Sequence, residues 1–317
     1  MEKANPFLTF AVSELDAGSR LSGLLRRRFG MSKSLVRSLK EGDSVRVNGA
    51  PAPVTGRVAA GDRIELFVPP QLESVVTPEP VPLDIVYEDS HILVLDKPPG
   101  QLVHPAGVEL SGTLANGVAH HLVKKGEPCA AGPVTRLDRL TSGLVLFAKH
   151  PHAHHRLVHA IARGEVRRTY AGVCTGVPPF DERLIDLPIA RAPGSLSRRQ
   201  VDEANGQEAR THVRVVKRFG PNPALPQGAA LLRLDLETGR THQIRVHLAH
   251  IGYPLVGDPL YGAPAPGLIE RQALHARTLC LVHPIDGREL EFSVPPPGDM
   301  QRLISALEGP REDASPL

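Results

Sequence analysis

Residues 134–150 read VTRLDRLTSGLVLFAKH, with the carboxylate of Asp138 between Arg136 and Arg139, just ahead of an apolar run. Nearby cations favour the charged form of a carboxylate. A charged carboxylate at the mouth of a strand can act as a nucleophile or a general base. A structural ion pair would satisfy the same pattern, so other residues must decide. Histidines are the next candidates: His150, His152, His154, His155 and His159 cluster, and His242, His247 and His250 share another segment. Metal ligation needs imidazoles converging with a carboxylate or thiol in a recognisable spacing. There is no H-E-x-x-H, and the His155/His159 pair has a spacing that helix surfaces carry by chance. The expectation is no metal, and partly exposed histidines beside a polyanion. G-x-S-x-G, G-x-x-x-x-G-K-[ST] and G-x-G-x-x-G are all missing, so serine hydrolases, P-loop NTPases and dinucleotide enzymes lack their signals. Asp235 and Glu237 could supply a second acid for a hydrolase, but neither has a glycosidase-like context.

The elements that must position these residues follow from periodicity. Residues 143–148 (GLVLFA) read as a buried strand. Leu21, Leu24 and Leu25 mark one helix. Ser32 caps a second, striped by Leu35, Val36 and Leu39 and ended by Gly42. SVRVNGAPAPV reads as a strand with an Asn-Gly turn, and DRIELFV as another strand. TPEPVPLD, residues 77–84, breaks the pattern as a proline-rich linker. Beyond it lie strand-like runs at 85–87 and 92–95, a helix in GTLANGVAHHLVKK, and a helix in HAHHRLVHAIARGEV closed by Gly164. RTYAGVCTGV is a strand; LLRLDLETGRTHQIRVHLAHIG is a strand, a turn and a helix; ALHARTLCLVHP and LEFSVPPP are strands. A short helix from Met300 and the tail REDASPL read as peripheral. The irregular strand spacing lacks a βαβ rhythm and favours an α+β fold with an antiparallel or mixed sheet. The expected division is a tail (1–18), a small α/β unit (19–70), a linker (71–84), a main body (85–300) and a C-terminal tail (301–317).

The 317 residues are 41% hydrophobic and 22% charged, enough for a sizeable core and unlike a disordered chain. No run approaches the roughly 18 apolar residues of a membrane span, and no secretory signal is visible. Three scattered cysteines form neither a disulfide framework nor a zinc spacing, which fits a reducing cytoplasm. Net charge is +3, but ten Lys/Arg against four Asp/Glu in residues 20–68 give that segment +6 and leave −3 for the rest. Arg26, Arg27, Arg28, Lys33, Arg37 and Lys40 fall mostly off the apolar stripes of the two helices. That surface suits phosphate contacts.

Two resemblances sharpen this reading. The two short helices followed by V-x-V-N-G and G-D-x-I resemble the alpha-L RNA-binding module first described in a ribosomal small-subunit protein. Then D-K-P-P-G-Q-L-V-H-P, R-L-D-R-L-T-S-G, R-R-T-Y, L-E-T-G-R-T-H-Q-I-R-V-H and G-Y-P-L-V-G-D-P-L-Y-G resemble, in order, the motifs of pseudouridine synthases of the RluA type. This second resemblance runs from about residue 85 to 297. It implies a mixed, largely antiparallel sheet with a central cleft lined by the motifs. Asp138 matches the family's essential aspartate, Tyr170 the tyrosine that packs on the target base, Arg245 the basic partner of the aspartate, and Arg136 an arginine near the flipped nucleotide. Thr135 departs from the family, which usually has His or Asn there; a hydroxyl that donates a hydrogen bond is expected to keep activity. The implied activity is isomerisation of specific uridines in structured RNA, ribosomal RNA ahead of tRNA, by a cytoplasmic monomer. Nothing is oxidised and no group is added, so no cofactor or metal is demanded. The alternative is a non-catalytic RNA-binding protein on the same fold, against which the intact Asp138, Tyr170 and Arg245 argue.

Overall fold

The computed structural model describes residues 5–40, 43–72, 76–195, 197–262 and 264–308. An N-terminal unit comprises β1 (Leu8–Ala11), α1 (Leu21–Phe29), α2 (Lys33–Ser38), β2 (Val45–Val47), β3 (Ala50–Pro51) and β4 (Arg63–Leu66). Its antiparallel sheet has the order β1-β4-β2-β3. Leu21, Leu24 and Leu25 of α1 and Leu35, Val36 and Leu39 around α2 are all buried in one core with Ile64 and Leu66. The Ser32 hydroxyl accepts the Leu35 N–H at 3.1 Å, the cap that starts α2. Asn48 and Gly49 both have positive φ, 53° and 81°, as a two-residue hairpin turn of this type requires. The expected end of α2 at Gly42 lies outside the described residues. The expected N-terminal tail is corrected in part: β1 pairs along β4, because Phe7, Leu8 and Val12 bury their apolar side chains in the same core.

The main body contains β5 (Ile85–Glu88), β6 (Ile92–Lys97), α3 (Leu114–Lys124), β7 (Gly132–Pro133), β8 (Ser142–Ala148), α4 (Pro151–Ala162), β9 (Arg167–Thr175) and β10 (Glu182–Asp186). The hairpin β11 (Ile189–Arg191) and β12 (Arg199–Val201) follows. Then come β13 (Arg210–Phe219), β14 (Ala229–Leu236), α5 (Gln243–His250), β15 (Leu274–Val282), β16 (Glu289–Ser293) and α6 (Gly298–Glu308). The main sheet runs β10-β13-β14-β9-β15-β8-β6-β5, with β16 on β15 and β7 on β8. Among the described residues only the β8–β15 pairing is parallel, so the fold is α+β with a mixed, largely antiparallel sheet.

That parallel seam explains the T-S-G of the motif. Gly143 has φ 109° and faces Ala276 across it. A Cβ there would lie 2.2 Å from the Ala276 carbonyl oxygen, so only glycine lets the two strands meet.

Two expectations change. The helix near the C-terminus is a core element: Met300, Leu303 and Leu307 of α6 are buried, and Asp299 pairs with the buried Arg271 at 2.7 and 3.0 Å. The proline-rich stretch is docked along α3. Thr77 O accepts from the Asn116 side-chain amide at 2.9 Å, Glu79 accepts the Gly112 N–H at 2.8 Å, and a Cβ on Gly117 would meet the Val81 carbonyl at 2.9 Å. The N-terminal unit also touches the body, through Phe7 stacked on the buried His150 with ring centroids 4.8 Å apart. Among the described residues no helix is long and apolar enough to cross a membrane.

Candidate active site

Asp138 stands on the loop before β8, and that loop is anchored at three points. Thr135 is buried, and its hydroxyl accepts the Leu146 N–H at 2.9 Å. The Thr135 hydroxyl thus ties this loop to strand backbone as an acceptor. Thr141 N–H donates to the Asp138 carbonyl at 3.0 Å. Lys97, fully buried at the end of β6, donates to the carbonyls of Pro98, Gln101 and Arg139 at 2.8–2.9 Å. Burial pulls the Lys97 pKa down to about 7, while three acceptors, one for each ammonium proton, work against that pull. The carbonyl one residue past Asp138 is therefore tied to the turn after β6.

Neither neighbouring arginine pairs with Asp138. Arg139 turns to Glu109, and Arg136 is exposed on the cleft wall. The cation comes from α5: Arg245 Nη1 donates to Asp138 Oδ2 at 2.9 Å. Chain neighbours on a loop point apart, whereas a helix packed beneath it can aim one side chain upward. Arg245 is 5% exposed, and a buried guanidinium needs further acceptors. Asp258, fully buried, supplies them from Arg245 Nε at 2.8 Å and Nη2 at 2.9 Å. Asp258 in turn is held by the N–H groups of Leu260 and Tyr261 at 2.9 and 3.1 Å. Burial opposes the Arg245 charge, yet the bonds to Asp258 and the field of Asp138 raise its pKa above the ordinary arginine value. Burial would likewise lift Asp258, but Arg245 brings it below the ordinary range.

Tyr170 lies on β9 between Leu234 of β14 and Ala276 of β15. It is 8% exposed and shares a core with Leu234, Ile244 and Leu274, yet it also lines the cleft. Burial raises its phenol pKa, so the hydroxyl stays protonated at neutral pH. The cleft encloses about 1200 Å³, above the usual 300–1,000 Å³ of a small-molecule pocket. Its wall carries Arg136, Arg163, Arg167, Arg168, Arg210, Arg233, Arg240 and Arg245 against Asp138, Glu208, Asp235 and Glu237. This balance suits a polyanion. Asp235 is paired with Arg233 at 2.9 Å, and Glu237 with His212 at 2.6 Å and Arg210 at 3.6 Å. Both are thus engaged on the rim and give no second acid for a hydrolase.

Arg136, Asp138, Tyr170 and Arg245 are brought together in this one cleft. Arg26, Arg27, Arg28, Lys33, Arg37 and Lys40 are not among its lining; they are exposed on and beside α1 and α2. The histidine expectation is corrected for His150, His152 and His247, which are 2%, 1% and 0% exposed. His150 caps α4 by accepting the Ala153 N–H at 3.2 Å and lies 3.0 Å from His91. Among the described residues no group of three or more His, Cys, Asp or Glu is placed to hold a metal ion. Sequence reasoning missed Lys97 and Asp258; the available signal was a lysine and an aspartate inside the D-K-P-P-G and V-G-D-P-L-Y-G motifs.

Residues 91–250 match the family described as RNA pseudouridylate synthase. The chain is 38% identical over 305 residues, 92% of its length and 79% of the relative's, to ribosomal large subunit pseudouridine synthase D of Neisseria meningitidis serogroup A. It is 38% identical over 321 residues, 96% of both chains, to the protein of the same name in Escherichia coli K12. An RNA pseudouridine synthase of Bacillus subtilis, YjbO, is 40% identical over 277 residues, 87% of this chain and 95% of that one. Among solved structures, human RNA pseudouridylate synthase domain containing 1 superposes with a TM-score of 0.55 at 22% identity, over 73% of this chain and 96% of that one. That last likeness speaks for the fold.

Proposed function

The chain belongs to the RNA pseudouridylate synthase family, and on that premise we propose that it modifies uridines of large-subunit ribosomal RNA, with Asp138 as the reacting carboxylate. As a pseudouridine synthase it is an intramolecular isomerase: the bond from ribose C1′ to ring N1 breaks, the uracil turns, and C1′ joins ring C5. The C5 hydrogen leaves to solvent and N1 gains one, so atoms and electrons balance without a redox partner. The observation that carries the assignment is the Asp138–Arg245–Asp258 chain at the floor of an arginine-lined cleft. Arg245 engages Oδ2 of Asp138. The described residues make no hydrogen bond to Oδ1, which leaves that oxygen for the sugar, as nucleophile or base.

Reaching the ribose requires the base to leave its stack, at a few kcal/mol. Tyr170 offers the ring a flat surface on which to rest, and Arg136, which has no ion-pair partner among the described residues, a cation at the wall to hold the displaced backbone. The exposed cations Arg26, Arg27, Arg28, Lys33, Arg37 and Lys40 extend the phosphate-binding surface beyond the cleft. The relatives named for the ribosomal large subunit match over the N-terminal unit as well as the body, which supports ribosomal RNA over tRNA. Pseudouridine mapping in cells with and without the gene tests this. Loss of one or more sites in large-subunit RNA is expected; loss confined to tRNA overturns the substrate assignment.

A further inference from the structure

His242 opens α5 with φ 59°, and the only other non-glycine residue of positive φ among those described, Asn48, belongs to a hairpin turn. A side chain held in the left-handed region of a cleft is over-determined by its surroundings. The imidazole lines the cleft and its two nitrogens face different groups. Nδ1 is 3.0 Å from the Tyr261 hydroxyl, and Nε2 is 3.8 Å from Asp138 Oδ2. Tyr261 Oη already accepts the Arg199 N–H from β12 at 2.7 Å. No other acceptor for the hydroxyl proton is hydrogen-bonded to it among the described residues. In the tautomer taken up below, the hydroxyl proton points at Nδ1, and a neutral imidazole that accepts there carries its own proton on Nε2. Burial lowers the His242 pKa, partly offset by Asp138, so the neutral form is the one present at pH 7. Tyr261 itself is fixed by the loop of Asp258, and its ring packs 5.1 Å from the Arg245 guanidinium.

We propose that His242 is a positioning residue: its Nε2–H closes on Asp138 Oδ2 once RNA fills the cleft, and Tyr261 sets the tautomer that makes this possible. Arg245 and His242 then address the same oxygen from two sides and leave Oδ1 as the reacting atom. Hydrogen bonds of this kind are commonly long before substrate arrives and tighten in the complex. The inference rests on Asp138 being the reacting carboxylate.

The test uses the full chain and a large-subunit ribosomal RNA transcript labelled with tritium at uridine C5, in single turnovers at saturating enzyme. His242→Asn keeps an oxygen near the Nδ1 position for Tyr261 and tolerates positive φ, but it has nothing at Nε2. His242→Gln places an amide N–H near Nε2. We expect His242→Asn to slow tritium release by roughly 10- to 100-fold, the scale of one hydrogen bond to a charged group, with RNA affinity unchanged. His242→Gln should recover to within about fivefold of the parent, and Tyr261→Phe should fall between. Selective ¹⁵N labelling should report the Nε2–H tautomer for the resonance that disappears in His242→Asn. A His242→Asn rate equal to the parent's, a Gln variant no faster than Asn, or RNA affinity falling in step with rate overturns the proposal. Should His242→Asn fail to fold, the Gln and Tyr261→Phe rates and the tautomer in the parent decide. Asp138→Asn in the same assay separates the two levels: if it retains turnover, the assignment of Asp138 falls first.

Discussion

Asp258→Asn isolates what holds the active-site cation. In the parent, Asp258 Oδ1 accepts from Arg245 Nη2, Leu260 N and Tyr261 N, and Oδ2 accepts from Arg245 Nε. An asparagine that keeps its oxygen at the Oδ1 position preserves both backbone bonds, so the loop need not move. Its NH₂ then faces Arg245 Nε–H, donor against donor, in a fully buried place. Removing one partner of such a pair costs about 3–5 kcal/mol. Urea unfolding of the full chain should show a loss in that range for the body. With its anchor gone, the guanidinium no longer meets Asp138 at 2.9 Å, and single-turnover tritium release should fall at least about 100-fold, equivalent to roughly 2.7 kcal/mol. The double variant Arg245→Met/Asp258→Leu removes both charges. It should regain only part of the stability, since an apolar pair avoids desolvation but leaves the Leu260 and Tyr261 N–H groups without their Oδ1 acceptor, and it should remain inactive. An Asp258→Asn protein within about 1 kcal/mol of the parent and above half its rate would refute the anchoring role.

Gly143→Ala should destabilise by more than about 3 kcal/mol in urea, because a Cβ 2.2 Å from the Ala276 carbonyl must part the parallel seam in addition to the strain of φ 109°; an unchanged midpoint would contradict the seam. Deleting residues 1–72 retains Val76, Thr77 and Glu79, which pack on or beside α3, so the body should stay folded by circular dichroism. The slope of log RNA affinity against log salt should shrink by about 0.7–0.9 for every phosphate that the six basic residues neutralise in the parent; equal slopes would show that α1 and α2 do not touch RNA. Burial pulls His152 and His275 down to about 4, whereas the unfolded chain titrates near 6.5. Between those values the unfolded state takes up protons that the folded state refuses, so stability falls as pH drops, by about 2 kcal/mol per histidine at pH 5. Urea midpoints at pH 7 and 5 should differ accordingly, and His275→Asn should flatten the dependence.

Elements written in a periodic code were readable from the chain. The leucines of α1, the serine cap of α2, the Asn-Gly hairpin and the apolar β8 each depend on residues a few positions apart. Where a feature depends on distant partners, local reasoning failed. Arg136 and Arg139 flank Asp138 in sequence, but its partner is 107 residues away on α5, reachable only through the family resemblance. Asp258 and Lys97 look like loop residues beside prolines; what gives them meaning is burial, and burial has no signature in an irregular loop. Residues 77–84 read as a linker because extended proline-rich backbone packs without period. In α6, Met300, Leu303 and Leu307 follow a helical stripe, and their place near the chain's end disguised a core helix as a peripheral one.

The most direct test of the central claim is Asp138→Asn in the full chain, assayed for tritium release from C5-labelled large-subunit ribosomal RNA alongside RNA binding at fixed salt. The substitution keeps size and an acceptor for Arg245 while removing the charge proposed to act on the sugar. Release at background with binding within about twofold of the parent is the predicted result. Release close to the parent's rate would contradict the assignment of Asp138 as the reacting group.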